Sequence, residues 1–334
     1  MAGSVTAPHG RGSSRVSRAG PEAPQPKRQK SPISRAKAWV LGRVLLLFCF
    51  AVRLVPVSIQ PRLGDGAGML LFLCSRKLRT VAINNLRQVY GGQWSDRQVI
   101  ETARQVFRNF GRTAVEFVSL PSTRPERLRR IARIEGIEHL KAALSRGRGV
   151  IFLGAHYGNW ELMAARLVLE GVTINVLART ADDSLTEQLV TRIRTRAGYH
   201  VYQRDASLVP VLRSLRQNQA IGVLLDQNFT TGVFVSFFGR LAATAPGAAK
   251  LALRTSTPVV SAFSERLPDN THLIRLEPVE VVRTGDEQAD VLANTQLFTS
   301  VIEDAVRRRP DQWMWFHNRW KLRPPDEERR GSEA

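Results

Sequence analysis

From residue 149 to residue 276 the chain alternates short apolar runs with longer segments whose apolar residues recur at helical spacing. The runs at 150–153, 174–177, 199–203, 221–225, 259–263 and 273–276 read as strands. The segments between them, 162–169, 184–197, 208–217 and 246–255, read as helices. Strands this short and this apolar are covered on both faces, and their alternation with helices predicts an α/β fold, a mostly parallel central sheet flanked by helices. Upstream the period is helical throughout. A basic amphipathic helix begins at 76–86, and after the turn at Gly91-Gly92 the segment 95–120 places Val99, Ala103, Val106, Phe107, Phe110, Ala114, Phe117 and Val118 on one face. Short helices follow at 125–131, with Pro125 tolerated in the first turn, and at 136–145. A last helix at 289–308 precedes a tryptophan-rich block.

The N-terminal part breaks this pattern. Residues 39–59 are largely apolar, but Arg43 and Arg53 leave only 44–52 uninterrupted. A bilayer core of about 30 Å needs roughly 20 apolar residues, so this run crosses only if its arginines snorkel at the ends of a tilted helix. Otherwise it lies in the interface, or packs as the core helix of a soluble protein. A second apolar patch covers 69–74. The apolar run starts too late for a signal peptide, and the basic residues ahead of it favour a cytoplasmic N-terminus. The expected organisation is a disordered basic tail at 1–37 and a hydrophobic, membrane-associating segment with an N-terminal anchoring helix at 38–75. The main domain then covers 76–323, with a charged tail at 324–334.

Charge sharpens that picture. The 334 residues carry a net +20, which implies an anionic partner such as nucleic acid, anionic lipid or an acidic protein. Residues 1–37 hold eight Lys/Arg against the single Glu22, so +13 belongs to the rest of the chain. No aromatic residue interleaves with the basic residues of the tail, so no nucleic-acid partner is expected. Cys49 and Cys74 have neither metal-type nor redox-type spacing, which points to free thiols in a reducing compartment. No metal and no cofactor is implied.

Candidate chemistry centres on Gly154-Ala155-His156-Tyr157-Gly158-Asn159-Trp160-Glu161, between an apolar strand and a helix. The spacing of histidine and acid is itself common: His156/Glu161, His200/Asp205 and His272/Glu277 share it. Within a strand such residues point to opposite faces roughly 17 Å apart, and on a helix they stand about 140° apart. His272 begins a strand, and His200 also sits in one, with Asp205 a candidate N-cap of the next helix. Only a loop leading into a helix start lets the two side chains converge, and Gly154 and Gly158 offer the positive φ angles of such a turn around His156. His156 is then a candidate general base and Glu161 the acid that orients it. No Gly-x-Ser-x-Gly elbow is present, so a serine nucleophile is not part of the reading.

Gly154-x-His156-x-Gly158-x-Trp160-Glu161-Leu162 resembles the His-x4-acid motif of bacterial lysophospholipid-type acyltransferases, in particular the lipid A biosynthesis (lauroyl/myristoyl) branch, with phosphatidylinositol mannoside acyltransferases as cousins. Later segments agree in order: Leu177-Ala178-Arg179, then Leu225-Asp226-Gln227-Asn228, then Phe237-Phe238-Gly239, then the tryptophan-rich stretch from Pro310 to Trp320. The resemblance spans roughly residues 38–323 and implies a glycerolipid acyltransferase-like fold. It also implies transfer of a fatty acyl chain from acyl carrier protein or acyl-CoA to a hydroxyl of a membrane lipid, most directly a lipid A precursor, at the cytoplasmic face of a bacterial inner membrane. Arg179 is implied to bind a phosphate or the oxyanion. Asp226 and Gln227 end the fourth strand at the same sheet edge as Arg179, where Asp226 either positions Arg179, hydrogen-bonds the acceptor or is an ordinary loop cap. Arg204, just past the third strand, is a lesser candidate for a lipid phosphate contact. Alternative acceptors are a mannosylated phosphatidylinositol or a lysophospholipid. A different class of function is a basic membrane-binding protein with an inert acyltransferase-like domain. The Phe237-Phe238 pair reads as core, and Trp313, Trp315 and Trp320, three of the six tryptophans, as interface anchors beside Arg319 or as buried packing.

Overall fold

The computed structural model describes residues 42–43, 46–52, 54–178, 184–203 and 208–324. The basic tail at 1–37, Arg179 and Arg204 lie outside the described residues. After a helical segment at 46–52 come three longer helices: α1 (Gln60–Cys74), α2 (Arg76–Tyr90) and α3 (Asp96–Ser119). Pro61 stands in the first turn of α1, where its missing N–H costs nothing. Ser95 caps α3 reciprocally with Gln98. Glycines let α1 and α3 touch backbone to backbone. A Cβ on Gly68 would lie 2.0 Å from the Phe107 carbonyl oxygen, and one on Gly111 would lie 2.1 Å from that of Gly64. Arg112 clamps the pair through Asp65, at 2.6 and 2.8 Å.

The sheet follows. Its elements are α4 (Pro125–Ile131), β1 (Ala132–Glu135), α5 (Ile137–Leu144), β2 (Val150–Gly154), α6 (Trp160–Val168), β3 (Ile174–Ala178), α7 (Ser184–Arg196), β4 (His200–Gln203), α8 (Val209–Arg216) and β5 (Ala220–Leu224). They continue with β6 (Val233–Phe237), β7 (Arg240–Thr244), α9 (Gly247–Thr255), β8 (Val259–Arg266), β9 (His272–Val279) and α10 (Glu287–Arg308). Seven strands form one sheet in the order β1-β9-β8-β2-β5-β3-β4. All pairings are parallel except that of β8 with β9. The mostly parallel α/β sheet expected from the sequence is therefore present, with β2 at its centre.

Two parts of the sheet region differ from the expectation. β1 is a four-residue strand pairing only with β9, and its alternating, half-exposed Ala-Arg-Ile-Glu is too short for a period to show between two helices. β6 and β7 form a separate antiparallel hairpin, turned by Phe238 at φ 54° and Gly239 at φ 71°. Two consecutive positive φ angles are those of a tight hairpin turn whose twist matches its strands. The Phe-Phe-Gly block is thus a turn before it is anything else.

Among the described residues no helix is long and apolar enough to cross a membrane. The helical segment at 46–52 lies on the body, burying Cys49 and Val52 against Val115, Val118 and Ile193. Its other side leaves Leu47 and Phe50 exposed, as are Leu54, Ile59, Leu70 and Leu73 nearby in the chain. Cys49 and Cys74 are free thiols, the first buried and the second exposed.

Candidate active site

β2 delivers the histidine. Its five residues are all buried, and the chain leaves the sheet at Gly154, at the carboxyl edge where open α/β sheets gather their ligands. The turn differs from the expected one in a single respect. Gly158 has the positive φ, +57°, whereas Gly154 is an ordinary strand residue. Gly158 is also sterically fixed, because a Cβ there would stand 1.6 Å from the Ser264 carbonyl oxygen. Its N–H donates to the Gln312 carbonyl at 2.9 Å, and the N–H of Met314 donates to the carbonyl of His156 at 3.2 Å. The tryptophan-rich segment therefore braces the loop on one side while β8 braces it on the other. Asn159 caps α6 by accepting from the N–H of Leu162 and passes its own amide to Glu116 at 2.6 Å.

The partner of His156 is Asp226. Its Oδ1 lies 2.9 Å from Nδ1 of the imidazole, and its Oδ2 accepts from the His156 backbone N–H at 2.9 Å and from the Trp313 indole N–H at 2.8 Å. Burial by itself would push this carboxyl up. The imidazole beside it, the indole and the backbone N–H outweigh burial and bring it down to about 2. An ionised carboxylate only accepts, so in the neutral imidazole Nδ1 is the nitrogen that carries the proton and Nε2 the one with the lone pair. The His156 ring lines a cavity of about 810 Å³. The Trp160 indole stands against the ring edge to face, 5.0 Å between centroids.

Glu161, the acid expected to orient the histidine, does not meet it. Its carboxylate is taken by Arg194 at 2.5 and 3.1 Å, by the Trp160 indole at 3.1 Å and by the hydroxyl of Tyr199. The physical reason is the first turn of α6. Trp160 begins the helix and faces the ring, so the next residue points instead between α6 and α7, where Arg194 waits. Burial raises the Tyr199 phenol well above its usual range and the neighbouring Glu161 adds to this, so Tyr199 donates to the carboxylate. Arg194 stays charged because Glu161 more than offsets its burial.

The other expected residues divide. Asp226 and Gln227 come one residue past the end of β5, and Gln227 lines the cavity. Arg179 and Arg204 fall outside the described residues, although Ala178, the residue before Arg179, lines the cavity. Of the two His-x4-acid decoys, His272 lies in β9 with Glu277 exposed on the opposite parity, and His200 lies in β4, as the strand argument requires.

Of the two readings of the tryptophan block, burial is the one found: Trp313, Trp315 and Trp320 are all core residues. The hydrogen bond by which Trp313 holds Asp226, and the roles of Arg319 and Glu116, were not read from the sequence. Phe237 and Phe238 are buried as expected: Phe237 meets Trp313 edge to face and stacks on Trp320, and Phe238 packs at a tilt against Trp315. Arg319 is fully buried and ties the loop after β5 to β7 through the carbonyls of Gln227 and Ala243 and the hydroxyl of Thr244. Burial draws its guanidinium down to about 10, while Asp226 opposes the shift. Beneath the Asn159 cap, Glu116 binds Arg266 and sits 3.5 Å from His272. Burial would raise the Glu116 carboxyl, but Arg266 and His272 hold it well below its usual range. Only the histidine with its strand-to-helix setting, and an aspartate at a neighbouring strand end, could have been picked out beforehand. Neither names the other.

Comparison with known proteins agrees with this geometry. Residues 27–322 match the family described as bacterial lipid A biosynthesis acyltransferase. A Haemophilus influenzae lipid A biosynthesis acyltransferase is 23% identical over 276 residues, covering 81% of this chain and 84% of that protein. The Escherichia coli lipid A biosynthesis lauroyltransferase is 25% identical over 275 residues, covering 81% and 88%. A Mycobacterium tuberculosis phosphatidylinositol mannoside acyltransferase is 28% identical over 226 residues, covering 64% and 68%. With most of its length matched and a histidine–carboxylate pair opening onto an apolar chamber, the chain belongs to the bacterial lipid A biosynthesis acyltransferase family.

Proposed function

We propose that the protein is an O-acyltransferase that moves a fatty acyl chain from a thioester donor to a hydroxyl of a lipid acceptor, and that the acceptor is a lipid A precursor. The observation that carries this reading is the His156–Asp226 pair, whose histidine lines the cavity. The acceptor hydroxyl gives its proton to Nε2 of His156 as its oxygen attacks the thioester carbonyl. Asp226 favours the imidazolium that forms, and the proton then goes to the departing thiolate as the tetrahedral intermediate collapses. Arg179, by the family resemblance, serves the oxyanion or a phosphate of the acceptor, Gln227 contacts the acceptor, and Arg204 meets a lipid phosphate. Glu161 enters this scheme as a positioning residue, holding α7 to α6 and setting Trp160 against the imidazole.

The cavity walls are mostly apolar and suit the acyl chain. The exposed Leu47, Phe50, Leu54, Leu70 and Leu73 form the surface that rests on the bilayer, with neighbouring Arg62, Arg76 and Lys77 meeting anionic headgroups at the cytoplasmic face of the inner membrane. The donor is acyl carrier protein or acyl-CoA. A net +20 favours the acidic carrier protein, so transfer from it should weaken as salt rises, and an unchanged rate would remove that preference. The test of the function is transfer by the purified protein from an acyl carrier protein thioester to candidate lipid acceptors, read by mass spectrometry. His156→Ala should abolish product, and near-normal transfer by that variant would sink the assignment. Similarity to the mannoside acyltransferases supports a second acceptor class. Loss of the gene should leave an under-acylated lipid A on the first reading and an under-acylated glycophospholipid on the second.

A further inference from the structure

The cavity that opens at His156 has lining residues on both faces of the sheet. On one face Ile151 and Leu153 of β2 are fully buried and packed with β8 and α9, so the lining there comes from Val223, Leu177 and α9 and not from β2. The other face lies under α6. There Phe152 of β2, Gly222 of β5 and Val176 of β3 stand side by side in register, and all three line the cavity. A glycine in the middle of a central strand weakens the strand and calls for a reason. Backbone conformation is not the reason, since Gly222 does not have a positive φ. No backbone is crowded either: a Cβ there would press on the Val176 side chain, whose Cγ1 at 3.3 Å must give by a few tenths of an ångström, and would meet the Asn175 carbonyl oxygen at an ordinary 3.9 Å. The missing side chain is cavity space.

We propose that Gly222 determines how long an acyl chain the protein accepts. The inference rests on the reading of the cavity as the acyl chamber. Gly222 is level with Phe152, two strand residues below the end of β2 at Gly154 and four residues before His156, a span of at most about 13 Å even for a fully extended chain. An extended polymethylene chain gains roughly 1.3 Å per C–C bond of about 1.5 Å, so the chain passes Gly222 no later than about its tenth carbon. Chains longer than this need the space that a side chain at position 222 would fill.

The test compares the purified wild-type protein with Gly222→Ala and Gly222→Leu. One readout is competitive transfer from an equimolar mixture of decanoyl and palmitoyl thioesters of acyl carrier protein. The other is equilibrium binding of decanoate and palmitate, which needs no transfer. In both, the palmitoyl-to-decanoyl ratio should fall at least tenfold in Gly222→Leu and by a smaller factor in Gly222→Ala. The alanine variant, whose single methyl needs only a small shift of the Val176 side chain, carries the test if the leucine variant fails to fold. Ratios that stay at the wild-type value in both readouts overturn the proposal and put the chain on the opposite face. Failure of palmitate to bind the wild-type protein overturns it as well. A shifted binding ratio without any transfer by the wild type upholds the role of Gly222 and defeats the acyltransferase assignment instead.

Discussion

Replacing Asp226 by Asn removes an anion while changing almost no volume, and the structure dictates how the amide must sit. Oδ2 receives two N–H groups that cannot turn away, the His156 backbone and the buried Trp313 indole, so the amide oxygen takes that place. The amide NH₂ then faces Nδ1 of His156, where Oδ1 had accepted. A donor facing a donor is relieved only if the imidazole moves its proton to Nε2, and that tautomer has no lone pair to offer the acceptor hydroxyl. The expected loss is on the order of 10³–10⁴ in kcat, about 4–5.5 kcal/mol of transition-state stabilisation, as for the wrong tautomer in other histidine–aspartate pairs. Two of the three hydrogen bonds survive, so the cost in folding stability should stay near 1 kcal/mol. Steady-state transfer measured by mass spectrometry gives the first quantity, urea unfolding the second, and ¹⁵N chemical shifts of the histidine ring identify the tautomer. Asp226→Asn turning over within tenfold of wild type, or a wild-type ring already protonated on Nε2, would refute the reasoning.

Glu161→Gln should act on the fold more than on the proton: it leaves Arg194 and Tyr199 around a neutral amide, and breaking a buried pair in this way costs about 3–5 kcal/mol at full burial and less here, where Arg194 keeps some exposure. A variant with wild-type stability and kcat reduced as deeply as in Asp226→Asn would show that Glu161 reaches the imidazole after all. Gly158→Ala combines a positive φ with a Cβ 1.6 Å from the Ser264 carbonyl oxygen, so a loss of more than about 3 kcal/mol is expected, and an unchanged melting temperature would contradict the tight turn. Leu47→Ser with Phe50→Ser should weaken flotation with anionic vesicles by removing roughly 1.5–3 kcal/mol of apolar burial each, while leaving the melting temperature near wild type. The Asp226 carboxyl is held below its unfolded value of 3.8, so its contribution to stability is complete above about pH 4 and is lost as pH falls toward 2. Acid unfolding of Asp226→Asn should lack that part of the pH dependence, and superimposable acid limbs would count against the pairing.

Much of the molecule is legible along the chain because the forces involved are local. Apolar runs of four or five residues separated by helical periods specify buried parallel strands wherever they occur, and the strands β2, β3, β5 and β8 stand where the pattern puts them. Ser95 and Gln98, and Asn159 ahead of α6, announce their helices through backbone hydrogen bonds two or three residues away. The hairpin β6–β7 was hidden because the residues that turn it are a phenylalanine and a glycine, and a non-glycine positive φ leaves no compositional trace. The sequence by itself determined that a histidine would stand at a strand end with carboxylates in reach of that edge, since β2 and β5 both stop there. Which carboxylate meets the ring was decided by strand order. β5 lies directly beside β2, so Asp226, seventy positions away in the chain, arrives at Nδ1, while Glu161, five positions away, is turned by the first helical turn toward Arg194. Chain distance fixes which way a side chain leaves its own element; only the packing of elements fixes what it meets.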